Sequence, residues 1–371
     1  MKRTVGIITN SSNMTNLDGL IGHRSIHTIP IGGKYRLIDF PLSNLVNLNE
    51  DIYIGVIGSY NYRSLVDHLK QGQDWNLSRK SNDLLVLQGD RSVKIAPVGR
   101  LSVQDFLDNE PFFDKLPEEV ENIIISGCNI VANLEMEKIL EEHQETNADI
   151  TMLYKQNYQG YMLDQELFLQ LENNEVKKIY YSSNKVQNQN LFIDTFIIKR
   201  TVFLNMLREA KRRRIIDFIE IIQQCLDQIH IHSYPVSGYV KMIHSLQAYY
   251  ECSMELIKCA THVELFKNQR KIYTKSKDNH PTVYGQLAKV KRAMVASGAI
   301  VNGSIEDSIV FRNTNIGHGA KVKNSIIMQG AVVGEDAVVV NAILDKNVRI
   351  RPGEFITSHT TEPILIKKRS D

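Results

Sequence analysis

Two stretches near the start of the chain carry residue types that decide whether phosphate groups can be bound. The first follows the apolar residues Val5, Ile7 and Ile8, and a loop after such a first buried strand usually receives phosphates in α/β proteins. Its sequence at 9–16, TNSSNMTN, contains neither glycine nor arginine. The loop therefore lacks the backbone freedom and the positive charge that a phosphate needs.

The stretch at 29–47, IPIGGKYRLIDFPLSNLVN, is the most distinctive in the chain. Gly32 and Gly33 supply a turn, and Lys34 and Arg36 bring positive charge next to it. The apolar residues that follow enter the core before a helix begins near Pro41. This second stretch keeps the glycines and the charge that the first one lacks.

The elements that must position these residues follow an α/β pattern. Short β-branched runs alternate with helical stretches, which predicts parallel strands linked by helices. The predicted strands are 52–57, 122–126 and 149–154, and the predicted helices are 133–146, 201–229 and 249–266. We expect a first domain over 1–266, a polar linker over 267–280 and a second domain over 281–371.

The last ninety residues have a different period. Small or apolar residues recur every six positions between turn formers, which favours a parallel β-helix over an ordinary β-sandwich. These positions are Ala320, Ile326, Val332, Val338, Leu344, Ile350 and Ile356. Some proteins built from such coils are acyltransferases with a catalytic histidine, but His318, in NIGHGAKV, is more typical of a solvent-facing turn residue without an acidic partner.

The motif GGKYRLIDFPLSN resembles the core motif of the ADP-glucose pyrophosphorylases, or glucose-1-phosphate adenylyltransferases, almost letter for letter. The resemblance extends over nearly the whole chain. It implies a Rossmann-like nucleotidyltransferase domain with a mostly parallel sheet, followed by a C-terminal left-handed β-helix. The implied reaction is in-line attack by glucose 1-phosphate on the α-phosphate of ATP, with magnesium held between two carboxylates.

The positions that contact phosphate in this family are largely replaced. The family's GGxGxRL loop aligns with 11–17 and places Asn16 at its arginine. Its RAKPA aligns with 24–28, where Arg24 is kept and Ile26 replaces the lysine. The sugar-phosphate lysine of its FxEKP motif falls near Ser182, and only a local shift would bring Lys185 there.

Both metal-binding aspartates of the family are replaced as well. The aspartate of its GDH motif falls on Cys128, and that of its WRDVGT motif falls on Met242. Magnesium prefers hard oxygen ligands, which thiol and thioether groups do not supply. The resemblance therefore implies no metal and no cofactor bound by this chain's own site, with magnesium bound in a catalytic partner.

The joint loss of these groups implies a dismantled active site. Oxyanion and metal stabilisation are typically worth about several kcal/mol each, so losing all of them leaves little adenylyl transfer. Within the family this describes the GlgD-type regulatory subunit of glycogen biosynthesis. Such a subunit pairs with a catalytic GlgC-type homologue in a mixed tetramer.

The charged residues kept around the core motif are Arg24, Lys34 and Arg36. In the family, basic residues of this region bind effectors such as fructose 1,6-bisphosphate or AMP near the boundary with the β-helix. His23 lies at a basic effector contact of the catalytic relatives, where protonation would make it a weaker substitute. Two interpretations stay open: an anion pocket that tunes the partner, or surface and ion-pair residues that the subunit interface requires.

Two other functions remain alternatives at this stage. A residual adenylyltransferase would use a displaced metal site built from Asp149, Asp194 or Asp217. A stand-alone sensor would bind a sugar phosphate or nucleotide without reacting.

Composition excludes several other classes of protein. A net charge of +2 gives no field for nucleic acid or anionic lipid, and the basic run at 211–214 lies in an amphipathic helical pattern. No apolar run approaches the roughly 20 residues of a membrane helix. The four cysteines lack the short paired spacing of a zinc site, so we expect reduced thiols in a cytoplasmic protein. They are Cys128, Cys225, Cys252 and Cys259.

Overall fold

The computed structural model describes residues 4–10, 17–21, 24–48, 52–58, 62–77, 84–89, 100–158, 160, 162, 166–182, 189–267, 269–358, 360 and 362–368. The predictions made for residues 11–16, including Asn16, and for His23 and Lys185 lie outside these residues. Within them, no helix is both long enough and apolar enough to cross a membrane.

The first part of the chain alternates strands with helices. Its strands are β1 (Thr4–Thr9), β2 (Pro30–Ile31), β3 (Tyr35–Arg36), β4 (Ile52–Gly58), β5 (Leu84–Gln88), β6 (Asn122–Gly127), β7 (Ile130–Ala132), β8 (Ile150–Gln156), β9 (Glu166–Glu172), β10 (Glu175–Ser182), β11 (Asn190–Lys199), β12 (Ile231–Pro235) and β13 (Val240–Met242). Its helices are α1 (Asp18–Ile21), α2 (Asp39–Val46), α3 (Arg63–Leu69), α4 (Val103–Leu107), α5 (Glu110–Asp114), α6 (Met136–Glu145), α7 (Arg200–Arg213), α8 (Phe218–Gln224), α9 (Leu246–Leu256) and α10 (Cys259–Leu265). Short 3-10 helices lie at Ile26–Thr28 and Gln73–Trp75.

The main sheet has the strand order β5-β4-β1-β6-β11-β8-β12-β10-β9. The four strands from β5 to β6 are parallel, as the sequence pattern predicts, and β8 is parallel to β12. Because β10 and β11 run antiparallel to their neighbours, the sheet is mixed. Every residue of β1 is buried, since apolar clusters cover both faces of the sheet.

The helix predicted over 201–229 is wrong as a single element. The chain leaves α7 at Arg214, which has a left-handed φ of 58°, and resumes at α8. Asp217 caps α8 by accepting a hydrogen bond from the Ile219 N–H group at 3.0 Å. The predicted closing helix over 249–266 is likewise two helices, α9 and α10, separated by the extended residue Lys258.

The last part of the chain is a stack of parallel strands that forms a β-helix. These strands are β14 (Val283–Tyr284), β15 (Lys289–Val295), β16 (Ile300–Val301), β17 (Ser304–Val310), β18 (Asn315–Ile316), β19 (Lys321–Lys323), β20 (Ile326–Ile327), β21 (Val332–Val333), β22 (Val338–Val340), β23 (Ala342–Leu344), β24 (Arg349–Ile350), β25 (Phe355–Thr357) and β26 (Ile364–Ile366). They assemble into two sheets in which every pairing is parallel.

The unbroken period of six is wrong in detail. Val322 pairs with Val339, and Val339 pairs with Ile356, so these coils contain 17 residues rather than 18. A strict period of six therefore drifts by one residue per coil. Val332 and Val338 are only half-buried, while the residues that follow each of them are fully buried.

The β-helix packs directly against the first part of the chain. The Tyr250 hydroxyl donates to the Asn324 carbonyl at 2.7 Å, and a Cβ added to Gly19 would lie 2.7 Å from the Leu365 side chain. The segment at 269–280 has no helix or strand, but it is tied to the first part of the chain. The Tyr273 N–H group donates to Ser43 Oγ at 2.8 Å.

Candidate functional site

The cleft expected for nucleotide binding lies at the carboxyl ends of β1 and β6. Thr9 pairs with Gly127 at the end of both strands, and the Cys128 N–H group donates to the Thr9 carbonyl at 3.0 Å. Ligands of open α/β sheets bind outside this edge of the parallel strands. The turn at Cys128 and Asn129 therefore occupies the position where the chemistry of such a fold takes place.

The structure brings Cys128 and Met242, the residues predicted to replace the family's metal ligands, close together. Met242 pairs with Ile130 across β13 and β7, and the next N–H group, of Ile243, donates to the Asn129 carbonyl at 2.8 Å. Cys128 is 0% exposed and Met242 is 2% exposed, and both belong to the same apolar core cluster.

This donor set does not fit magnesium. A buried thiol and a buried thioether offer soft sulfur atoms, whereas magnesium requires hard oxygen ligands in octahedral geometry. Among the residues that the structure describes, no group of three His, Cys, Asp or Glu side chains could hold a metal ion. Ser182, at the family's sugar-phosphate lysine, lies half-buried at the end of β10, opposite Glu166.

Of the three aspartates of the displaced metal site, Asp194 and Asp217 both contact Arg100, and Asp149 lies apart from them. Asp149 precedes β8, near the end of the sheet where β6 begins, and accepts a hydrogen bond from Lys199 Nζ at 3.1 Å. Asp217 accepts from the backbone N–H groups of Arg100 and Leu101 at 2.8 and 3.1 Å. Asp194 pairs with the Arg100 side chain instead.

A buried ion cluster, formed by Arg100, Glu166, Asp194 and His244, lies beside the two predicted metal positions, Cys128 and Met242. Of its four members, sequence reasoning had singled out only Asp194. Arg100 Nε lies 2.5 Å from Asp194 Oδ1, and the Arg100 guanidinium lies 3.3 Å from Glu166 Oε2. His244 Nδ1 lies 3.7 Å from the other Glu166 oxygen. The signal available in the sequence was Asp194 itself, an acid inside the apolar strand LFIDTFII, which requires a buried partner.

A second site, the basic pocket, opens between the first part of the chain and the β-helix. The empty space among its lining side chains is about 400 Å³, a figure that includes open solvent. It is lined by Pro30, Gly33, Lys34, Tyr35, Arg36, His68, Lys275, Lys277, Phe311, Arg312, Gln329 and Lys346. Two of the predicted anion-binding residues, Lys34 and Arg36, are thus brought together. Arg24 lies beside the pocket and pairs with Asp345 at 2.8 Å.

The basic pocket carries excess positive charge. Burial, together with Arg24, Arg36 and Lys277, lowers the pKa of Lys346 to about 8. Burial likewise lowers the pKa of Lys34, and the nearby Arg312 and Lys271 lower it further. The carboxylates at hand are already engaged: Asp345 pairs with Arg24, and Asp39 lies 2.6 Å from His68 Nε2.

Two buried polar atoms of the pocket residues have no hydrogen-bond partner among the described residues. They are His68 Nδ1 and Arg312 Nε. Burial lowers the pKa of His68, against the opposing effect of Asp39. Buried polar groups in folded proteins are nearly always hydrogen-bonded, so these atoms suit a polar ligand or water.

Sequence reasoning missed four of the cations in the basic pocket. Lys275 and Lys277 both line the pocket from the segment at 269–280, which has no helix or strand. Arg312, Gln329 and Lys346 occupy equivalent positions of three successive coils. The Gly330 N–H group donates to the Arg312 carbonyl, and the Asn347 N–H group donates to the Gln329 carbonyl one coil further on. The period of 17 was the signal that would have aligned them.

His318 lies exposed at a turn of the β-helix. The neighbouring coil does carry an acidic residue there, because the Asp336 N–H group donates to the His318 carbonyl at 2.9 Å. The contact is made by backbone atoms.

Comparisons with known proteins cover both parts of the chain. A family model for nucleotidyl transferases matches residues 15–161, and one for GlmU-like C-terminal hexapeptide repeats matches residues 280–362. The glycogen biosynthesis protein GlgD of Bacillus subtilis (strain 168) is 31% identical over 98% of this chain and 95% of its own length. GlgD of Geobacillus stearothermophilus is 29% identical over 86% of this chain and 83% of its own length. The glucose-1-phosphate adenylyltransferase of Clostridium perfringens (strain 13 / Type A) is 28% identical over 87% of this chain and 82% of its own length.

Proposed function

Because the chain belongs to the glucose-1-phosphate adenylyltransferase family, on the branch of the GlgD glycogen biosynthesis proteins, we propose that it is a regulatory subunit with little or no catalysis of its own. It would assemble with a catalytic GlgC-type homologue, in a mixed tetramer, and change that partner's affinity or maximal rate. Magnesium and the reacting substrates would then be bound by the partner.

The observation that carries this proposal is the pair Cys128 and Met242. The backbone brings both positions together at the carboxyl edge of the sheet, where the family would hold its metal ion. The side chains are sulfur groups buried in the apolar core. Removing a group that stabilises the charge of a transition state typically costs about a hundredfold to a thousandfold in rate, and two such positions are lost here.

The basic pocket supports a regulatory role. A phosphorylated effector, such as a sugar phosphate or a nucleotide, would be held by Lys34 and Arg36 from the first part of the chain and by Arg312 and Lys346 from the β-helix. Such an effector regulates the partner only if it binds two states of the assembly with different affinity.

The test is an assay of ADP-glucose formation from ATP and glucose 1-phosphate. We expect the purified chain alone to be inactive or nearly so, and its addition to a catalytic subunit to change that subunit's KM or kcat. Turnover by the isolated chain at the rate of its catalytic relatives would refute the proposal. A variant in which Arg36 and Lys346 are both replaced by methionine should still assemble and should lose any response to fructose 1,6-bisphosphate or AMP.

The basic pocket also supports a second candidate function, a stand-alone sensor of sugar phosphates or nucleotides. The two candidates differ in assembly, because a sensor need not bind a catalytic subunit. Size-exclusion chromatography of the chain with and without that subunit separates them. Co-elution favours the regulatory subunit, and separate elution combined with effector binding favours the sensor.

A further inference from the structure

The buried ion cluster of Arg100, Glu166, Asp194 and His244 lies next to Cys128 and Met242, the two predicted metal positions. Asp194 lies against Gly127, since a Cβ added there would come within 3.2 Å of the Asp194 Cβ. His244 follows two residues after Met242 in the chain. The cluster therefore lies on the same two segments that carry the replaced metal positions.

Arg100 is held from three elements at once. Its guanidinium contacts Asp194 of β11 and Glu166 of β9, and its N–H group donates to Asp217 at the start of α8. Arg100 is only 6% exposed. Burial disfavours its charge, but the two carboxylates outweigh burial and raise the Arg100 pKa above its ordinary value.

Without the Arg100 guanidinium, the buried carboxylates of Glu166 and Asp194 would destabilise the fold. Glu166 is 2% exposed and the Asp194 side chain is 10% exposed, so two carboxylates share a site with little water. Removing one partner of a buried ion pair leaves the other charge uncompensated and strongly destabilises the fold. A planar guanidinium suits this place because its donors can reach two carboxylates together.

We propose that Arg100 is the resident cation of this cleft, where its guanidinium neutralises Asp194 and Glu166 so that the cleft is occupied by the chain itself and binds no divalent cation. The inference rests on the proposed function and deepens it. Such a cleft would lack the metal ligands of a catalytic site. In addition, an internal ion cluster would occupy the space of the metal ion.

The first experiment measures the thermal unfolding of the full chain with Arg100→Ala. We expect R100A to melt below the wild type and to be rescued by methylguanidinium, which can refill the vacated site. With methylguanidinium at about ten times its Kd, the rescue should be about 2 °C. Sodium chloride at equal ionic strength is the control ion, and R100A/D194N/E166Q, which keeps the space without the carboxylates, should show no rescue.

The second experiment titrates the wild type with Mn²⁺ alone and follows binding by electron paramagnetic resonance. We expect Asp194 and Glu166 to bind no Mn²⁺ in the wild type. The Mn²⁺ titrations of the wild type and of D194N/E166Q should therefore be the same. Saturable Mn²⁺ binding that this double variant removes would overturn the proposal. So would an R100A variant as stable as the wild type, or one that methylguanidinium fails to rescue.

Arg100→Lys keeps the proposal testable if R100A does not fold. Its ammonium group keeps the charge but cannot bridge both carboxylates in a fork, so we expect a folded protein with a melting temperature below the wild type. Stability of R100K equal to the wild type would contradict the bridging role. These measurements use the chain alone, so their failure is distinct from failure to assemble with a catalytic subunit.

Discussion

At the scale of single residues, Lys346 is the clearest sign that the basic pocket has unbalanced charge. It is half-buried beside Arg24, Arg36 and Lys277, which lower its pKa, and Asp345 opposes them. With a pKa of about 8, the Lys346 side chain is mostly protonated at pH 7 and mostly uncharged at about pH 9. A bound anion would favour the protonated form and would raise this pKa again.

The first residue-scale prediction is that anion binding weakens as the pH rises above about 8. Binding prefers protonated Lys346, so affinity should be nearly constant below its pKa and should fall by up to about tenfold per pH unit above it. The fall ends at the raised pKa of the complex. Sulfate is a suitable probe because it does not itself titrate in this range.

The readout is the fluorescence of Trp75, the one tryptophan in the chain. Its buried ring contacts the ring of His68, which lines the pocket, with 5.5 Å between the ring centroids. Lys346→Met should bind sulfate more weakly at pH 7 and should flatten the fall between pH 8 and 9. Lys291→Met, on the outer face of the β-helix, is the matched control. An unchanged pH profile in K346M would contradict the prediction.

At the scale of elements, Asp217 connects α8 to the segment that carries Arg100. Its carboxylate accepts three backbone N–H groups, two from residues 100 and 101 and one from Ile219. Asp217→Ala should lower the free energy of unfolding by about 1–3 kcal/mol, because a helix cap and the partners of two further donors are lost. Asp217→Asn should cost less, since one oxygen acceptor remains.

Urea unfolding with and without Mg²⁺ tests this prediction for Asp217. A structural cap gives the same loss of stability in both conditions. A loss that depends on the metal would instead favour the alternative in which Asp217 belongs to a displaced metal site.

The helix predicted over 201–229 shows why some elements could not be read from the sequence. The apolar residues Ile215, Phe218 and Ile222 continue the amphipathic pattern of α7. The helical spacing of apolar residues therefore gives no sign that α7 ends and the chain turns. The reversal uses a left-handed conformation at Arg214, where glycine would have been the usual signal. Strands β4 and β6, by contrast, are short, largely buried runs rich in isoleucine, and their predicted positions are close to those observed.

The site could be predicted from the sequence only where a motif fixed the alignment. The resemblance to the family motifs assigns Cys128 and Met242 to the metal positions, which stays a prediction, and the structure brings the two residues close together. The ion cluster around Arg100 could not be predicted, because its members come from four segments and meet only in the folded chain. A lone charge in an apolar strand shows that a partner exists without identifying it.

At the scale of the whole molecule, the basic pocket lies across the contact between the first part of the chain and the β-helix. Arg24 reaches Asp345, and Tyr250 reaches the Asn324 carbonyl, so both parts are held together around the pocket. The cations that face one another come from both sides and repel across this contact. An anion bound between them would therefore stabilise the packing of the two parts.

The final prediction concerns this repulsion in the protein without an anion. Lys346 has a lowered pKa, so its charged form is disfavoured by the fold, and the resulting penalty is present in full below pH 8 and is lost as the pH rises toward the ordinary value. At pH 7 and low ionic strength, Lys346→Met should therefore raise the free energy of unfolding by about 1–3 kcal/mol.

Sulfate should reverse the order of stability. It should raise the melting temperature of the wild type as its concentration exceeds Kd, by the mass action expected of a ligand that binds only the folded state. Lys346→Met and Arg36→Met come from opposite sides of the contact, and each should reduce this rise because an anion bridging both sides uses both residues. Differential scanning fluorimetry across a sulfate titration measures both effects, with Lys291→Met as the control that keeps the wild-type response. A sulfate response lost in only one of the two pocket variants would place the anion on one side of the contact and would contradict the bridging role.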